Sequence, residues 1–152
     1  MLKQILNGRV LTPQGWLEGG SVIIDGNKIL AVSNSDLHIV DAEIIDAKGC
    51  YVVPGGVDLH VHGGGGRDFM EGTEEAFRVA IKAHMKHGTT SIFPTLSSST
   101  VPMIEAACET CEKLMAEENS PVLGLHLEGP YFNPKQAGAQ IPEWIKPPVA
   151  EE

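Results

Sequence analysis

The stretch Val57-Asp58-Leu59-His60-Val61-His62-Gly63 decides the fold of this chain, because it places two imidazoles at the end of an apolar run. Residues i and i+2 of a strand point to the same face, so His60 and His62 can converge on one metal ion. The run over residues 51–57 is apolar enough to predict a strand covered on both sides. Residues 63–66 are all glycine and predict a flexible turn beside the site.

Composition and charge exclude several classes of function. The 152 residues carry 11 Lys and Arg against 20 Asp and Glu, a formal net charge of -9. This balance argues against nucleic acid or an anionic membrane as a partner. The first twenty residues do not resemble a signal peptide, and no apolar run is long enough to span a bilayer. We therefore expect a cytoplasmic protein.

The three cysteines suit a reducing compartment rather than a disulfide scaffold. Cys108 and Cys111 spell C-x-x-C, but no second pair follows. We interpret them as thiols on the buried side of a helix, with zinc or redox use as the alternative.

Residues 1–50 predict a small β module built from short strands and turns. Residues 25–28, Asp-Gly-Asn-Lys, predict a tight hairpin turn, because Gly and Asn accept a positive φ. The predicted strands cover residues 4–5, 9–11, 21–24, 29–32 and 43–46.

From residue 51 onward the apolar period changes to strand, helix, strand, helix, strand. Thr73 or a neighbour is expected to cap the first helix, which Gly88 ends. Pro102 fits the first turn of a second helix that ends near Asn119. Strands are predicted over residues 90–95 and 122–128. Short connections of this kind indicate parallel strands with right-handed crossovers, in a doubly wound sheet or a β/α barrel.

A carboxylate ends the third predicted strand. In a β/α barrel the carboxyl ends of all strands meet at one rim, so Glu128 is expected beside His60 and His62. Two imidazoles and a carboxylate suit Zn²⁺ or Fe²⁺. Asp58 shares the face of the histidines, either steadying a ligand imidazole or making a structural hydrogen bond. For His126 two interpretations stay open, a residue beside the site or a core histidine. His38, His84 and His87 are assigned no role.

The segments over residues 54–63 and 124–139 together resemble the N-acetylglucosamine-6-phosphate deacetylase family of the amidohydrolase superfamily. The first resembles the superfamily's metal motif, and the second, which includes Gly124-Leu125-His126-Leu127-Glu128-Gly129-Pro130, is specific to that family. The resemblance covers the whole chain. It implies an α/β fold, namely the first three units of a TIM-like (β/α)8 barrel over residues 51–152, with a small, incomplete N-terminal β-sandwich over residues 1–50.

The resemblance also implies a site and a reaction. Metal, one ion or two, would be held by Glu128 and, where a second site exists, by His60 and His62. Ala139 and Gln140 fall where the family touches the amino sugar; many members carry histidine at the second position, although an amide can still hydrogen-bond a sugar. The implied reaction is metal-assisted hydrolysis of an acetamide. A later aspartate acts as acid and base, and two later histidines act as ligands.

An eight-unit barrel needs roughly 250 residues, so we expect this chain to be the N-terminal portion of a longer enzyme and inactive alone. The full-length protein is expected to be a homodimer, as family members commonly are. Two alternatives stay open. The parent could be another cyclic-amide hydrolase or deaminase of the superfamily, or the chain could act as a non-catalytic assembly module.

Overall fold

The computed structural model describes residues 1–34 and 38–150. The chain divides into two units, one over residues 1–54 and one that begins at Gly55. The first unit is a mixed sheet. Its strands are β1 (Leu2–Thr12), β2 (Gly15–Asp25), β3 (Lys28–Ser33), β4 (Glu43–Asp46) and β5 (Tyr51–Val52). They run in the order β3-β2-β1-β4, and β5 also pairs with β1. The first three strands are antiparallel, whereas β4 and β5 lie parallel to β1.

The predicted hairpin at residues 25–28 is confirmed. Asp25 pairs with Lys28, and Gly26 between them has a φ of 56°. The two short strands predicted at residues 4–5 and 9–11 are parts of the single strand β1. Its pairing with β2 shifts register between Ile5 and Gly8. The irregularity interrupts the apolar alternation, which explains why the sequence suggested two strands.

The single strand predicted over residues 51–57 is wrong. Tyr51–Val52 pairs with Arg9 and Val10 in the first unit, and a new strand, β6 (Gly56–Val61), begins in the second. Pro54 separates them because a proline has no N–H to donate to a ladder. Nor is β6 covered on both sides, since Leu59 is 64% exposed.

The second unit is an α/β arrangement around a parallel sheet. The strand order is β10-β9-β6, and both pairings are parallel. Its elements after β6 are β7 (Gly63–Gly64), β8 (Arg67–Asp68), α1 (Glu74–Met85), β9 (Thr89–Leu96), α2 (Val101–Met115) and β10 (His126–Leu127). Three short 3-10 helices lie at Phe69–Glu71, Pro134–Gln136 and Pro142–Trp144.

The helix boundaries agree closely with the sequence patterns. Thr73 caps α1 by accepting the N–H of Ala76 at 3.3 Å, and Gly88 follows the helix with a φ of 97°. Pro102 lies in the first turn of α2. That helix ends at Met115, four residues before Asn119, so its predicted end is too late.

The third predicted strand is shorter than expected. Over residues 122–128 only His126–Leu127 forms a ladder with β9, and Val122 makes an isolated bridge to Ile92. The ladder is interrupted at Gly124, where an added Cβ would lie 2.9 Å from the ring of Phe93. The ring of Phe93 lies close to where the Cβ of any other residue at position 124 would be.

The core of the second unit lies between the two helices and the sheet. Phe69 and Phe77 are fully buried and meet edge to face, with ring centroids 4.9 Å apart. The other buried members are Ala80, Ile81, Ile92, Leu96, Ala107, Cys111, Leu114 and Val122. In residues 1–34 and 38–150 the structure has no helix that is long and apolar enough to cross a membrane.

The prediction that both C-x-x-C cysteines lie on the buried side of a helix is correct for Cys111 but wrong for Cys108. Cys111 is buried, whereas Cys108 and Cys50 are exposed. Burial, with a smaller contribution from Cys108, raises the pKa of the Cys111 thiol from 9.0 to about 11.

The higher pKa of Cys111 leaves about a hundredfold less thiolate at pH 8, and the thiolate is the form that reacts as a nucleophile. In an assay with a thiol reagent at pH 8, two cysteines should react quickly and Cys111 only on unfolding; three equal rates would contradict this.

Candidate metal site

Three side chains from two separate strands converge at the carboxyl end of the sheet. The Nε2 atoms of His60 and His62 lie 3.2 Å apart. Oε2 of Glu128 lies 3.0 Å from Nε2 of His62 and 3.5 Å from Nε2 of His60. All three ligand atoms fall within 4.8 Å of one another, and the side chains remain partly open, with exposures of 51%, 39% and 28% for His60, His62 and Glu128.

The strands explain why these side chains meet. His60 is on β6 and His62 follows its last residue, while Glu128 follows β10 directly. Both strands flank β9, and the N–H of Glu128 donates to the carbonyl of Leu96 at 2.8 Å. This hydrogen bond anchors the main chain of Glu128 at the end of the central strand, and its carboxylate faces the histidines.

The three distances fit a small divalent cation. Zinc binds nitrogen and oxygen ligands at about 2.0–2.2 Å, so two ligands at a tetrahedral angle are about 3.4 Å apart. The observed separations of 3.0, 3.2 and 3.5 Å surround that value. Two neutral imidazoles and one carboxylate are also the donor set that zinc or ferrous iron accepts, with a further coordination position left for water or substrate.

A hydroxyl that the sequence analysis missed lies behind one imidazole. Oγ of Ser97 is 3.4 Å from Nδ1 of His62, on the ring edge opposite the ligand atom. Such contacts on the far nitrogen orient a ligand imidazole. Asp58 does not do this for His60. Its Oδ1 accepts the main-chain N–H of His60 at 3.2 Å, which is the structural alternative for that residue.

The glycines after the histidines make the turn that the sequence predicted, in a two-stranded hairpin whose Gly65 and Gly66 have φ values of 62° and 83°. β7 pairs with β8, and Nε2–H of His84 donates to the carbonyl of Gly63 at 2.8 Å. An added Cβ at Gly64 would lie 2.8 Å from that imidazole. The glycines therefore let this hairpin lie against α1, and His84, which had been assigned no role, holds the residue after His62.

His126 lies beside the three converging side chains but outside the cluster. Its ring centroid is 5.0 Å from that of His60, and its Nδ1 is 3.2 Å from the hydroxyl of Thr95. It is half-buried. The geometry therefore favours the interpretation of a residue beside the site over that of a buried core histidine.

Of the two residues assigned to sugar binding, only Gln140 has a described contact with the rim of the sheet. Its Oε1 accepts the main-chain N–H of Ser98 at 2.7 Å, one residue after Ser97. The side-chain NH₂ of Gln140 remains the group that can donate to a ligand. Ala139 is exposed.

A comparison with known protein families agrees with the interpretation of the second unit as part of a metal-dependent hydrolase. The model of the amidohydrolase family matches residues 51–152, which is more than half of the chain. This chain belongs to the amidohydrolase family. Enzymes of the family are generally metal-dependent, in agreement with the donor set at His60, His62 and Glu128.

Individual relatives of this amidohydrolase are deacetylases of amino-sugar phosphates. The N-acetylglucosamine-6-phosphate deacetylase of Bacillus subtilis is 32% identical over 148 residues, which cover 93% of the chain and 37% of that protein. The N-acetylgalactosamine-6-phosphate deacetylase of Escherichia coli O157:H7 is 31% identical over 144 residues, 91% of the chain and 36% of that protein.

The fold comparison extends this similarity to a solved structure. The crystal structure of N-acetylglucosamine-6-phosphate deacetylase from Pasteurella multocida matches 99% of the chain with a TM-score of 0.93 and 27% sequence identity. The matched part is 40% of that chain. The present chain therefore spans well under half the length of these relatives.

Proposed function

We propose that this chain contributes the first part of a metal-dependent deacetylase, which releases acetate from N-acetylglucosamine 6-phosphate. The observation that carries the proposal is the convergence of His60, His62 and Glu128 at the carboxyl end of a parallel sheet. The similarity along nearly the whole chain to deacetylases of amino-sugar 6-phosphates supplies the substrate class.

In this proposal residues 51–152 are the first three β/α units of a TIM-like barrel, and residues 1–50 belong to a small β-sandwich. The strand order β6, β9, β10 follows the chain, as in a barrel in which each strand pairs with the next. Catalytic groups then come from the carboxyl ends of several strands, and these 152 residues supply only some of them. We therefore propose that the chain binds metal by itself but does not turn over substrate.

The residues of this chain would have separate roles in holding the metal and in orienting the sugar. His60, His62 and Glu128 would hold a zinc or ferrous ion, which polarises the acetamide carbonyl and activates a water molecule. The N–H of Ser98 would keep the side chain of Gln140 oriented, so that its NH₂ donates to the sugar. Hydrolysis joins the water oxygen to the acetyl carbon and breaks the C–N bond, and the amine leaves with a proton.

The test measures acetate release from N-acetylglucosamine 6-phosphate by the full-length protein that contains this chain, before and after chelation. We expect activity to disappear with the chelator and to return with zinc or ferrous ion. N-acetylgalactosamine 6-phosphate is a necessary second substrate, because the relatives named for the two sugars are 32% and 31% identical to the chain. Activity that survives metal removal, or a preference for cyclic amides, would reject the proposal.

A further inference from the structure

The central strand of the second unit contributes no member of the ligand cluster, yet one of its side chains touches both neighbouring strands. Thr95 on β9 is fully buried. Its hydroxyl accepts the main-chain N–H of Val61 at 3.0 Å, and it lies 3.2 Å from Nδ1 of His126. Val61 separates the two ligand histidines, and His126 is two residues before Glu128.

An irregularity in the sheet accounts for the first contact. Along the pairing of β6 with β9, Asp58 is opposite Ile92 but Val61 is opposite Pro94, so three steps on one strand match two on the other. Pro94 has no N–H, which weakens the ladder at this point. The hydroxyl of Thr95 accepts a main-chain donor just where the strand turns its histidines toward the site.

The second contact follows from regular pairing. His126 is directly opposite Thr95 in the parallel ladder of β10 and β9, so the two side chains point to the same face. The hydroxyl also lies 3.3 Å from the carbonyl of Phe93. One donor and two acceptor positions on this oxygen are thus matched by the three polar groups around it.

We infer that Thr95 is a positioning residue for the metal site, whose hydroxyl sets the spacing between the strand carrying His60 and His62 and the strand carrying Glu128. This inference rests on the proposed function, because it concerns the affinity of the site for a divalent ion. Removal of the hydroxyl leaves the N–H of Val61 without this buried acceptor, and an unpaired buried donor pulls the strand toward another partner. The ligand atoms then lose their relative placement, although each ligand is still present.

The experiment compares zinc titrations, measured by calorimetry, of the 152-residue chain and three variants. Thr95→Val keeps the shape and removes the hydroxyl, whereas Thr95→Ser keeps the hydroxyl. Thr110→Val is the matched control, because Thr110 is also buried and donates to the carbonyl of Gly72 at 2.8 Å, outside the ligand cluster. We expect T95V to raise the zinc Kd by about 10- to 100-fold, and T95S and T110V to leave it close to the original.

A second measurement separates this inference from the proposed function. The ring-nitrogen chemical shifts of His126 are recorded in metal-free protein, where T95V should move the Nδ1 resonance and T95S should restore it. If T95V does not fold, Thr95→Ala replaces it. Equal zinc affinity in T95V and the original chain, or an unmoved Nδ1 resonance, would overturn the inference. If the chain binds no zinc but T95V moves the Nδ1 resonance, the proposed metal site is overturned, although the contact between Thr95 and His126 is supported.

Discussion

Replacement of Glu128 by glutamine is expected to weaken zinc binding by the 152-residue chain about a hundredfold. Structural zinc sites with four ligands bind with about 10–16 kcal/mol, so one ligand contributes roughly 3 kcal/mol, and 1.4 kcal/mol is a factor of ten. Glutamine keeps the size of the side chain and removes its charge. The main-chain bond from residue 128 to Leu96 is untouched, so the thermal unfolding temperature should stay the same.

The control for Glu128→Gln is Glu105→Gln. Glu105 is an exposed carboxylate on α2, and its replacement changes the net charge by the same single unit. Calorimetric zinc titrations of both variants separate a ligand effect from a general electrostatic one. If the two variants bound zinc equally well, the carboxylate of Glu128 would not be a ligand.

The roles of His60 and His62 can be tested by the same zinc titrations. His62 lies nearer to Oε2 of Glu128 than His60 does, at 3.0 Å against 3.5 Å, and is less exposed. A hydrogen-bonded triad without metal would produce similar distances, because imidazole and carboxylate can share protons at this range. If the three side chains form a metal site, replacement of both His60 and His62 by alanine should abolish the heat of zinc binding measured by calorimetry.

The convergence of His60, His62 and Glu128 could be predicted from sequence because it depends on two simple rules, the side-chain repeat of a strand and the common end of parallel strands. His60 and His62 share a face through the two-residue repeat of a strand, and Glu128 meets them because parallel strands end at one rim. Neither rule needs knowledge of individual contacts. The same rules were insufficient at residues 51–57, where an apolar run passes through Pro54 and its two halves pair in different units.

Contacts that depend on exact register could not be predicted. Thr95 and Ser97 are ordinary hydroxyl residues in sequence, and they reach Val61 and His62 only through the shifted pairing of β6 and β9. Their two-residue spacing at the end of a buried strand, in step with the histidines opposite, is the one pattern that could have pointed to them. The turn at the glycines could be predicted, but their close approach to α1 could not, because it is a tertiary contact.

Substitution of Gly63 by alanine is expected to lower the free energy of unfolding by about 3 kcal/mol, the upper end of the range for overpacking. An added Cβ would lie 2.2 Å from the carbonyl oxygen of Arg67 and 2.9 Å from Cα of Asp68. Both atoms belong to the main chain of the facing strand, so no side chain can rotate away. The hairpin of β7 and β8 must open to accept the methyl group.

Opening that hairpin should also disturb the candidate metal site and the core. The carbonyl of His62 accepts the N–H of Phe69 at 2.9 Å, and Phe69 is fully buried. A displaced Gly63 therefore pulls on a ligand histidine on one side and on the core on the other. We expect the zinc affinity of G63A to fall by at least about tenfold, as when groups that orient a ligand are removed.

Gly56→Ala is the matched control for Gly63→Ala, because it adds the same methyl group to β6 at a place with room. The nearest atoms to its Cβ would be 3.7 and 3.8 Å away, which is ordinary contact, and its φ is not positive. Urea unfolding should place G56A within about 0.5 kcal/mol of the original chain. If G63A unfolded at the same urea concentration as G56A, the main chain at Arg67 could yield without cost. The close packing of the hairpin would then not be what holds His62 in place.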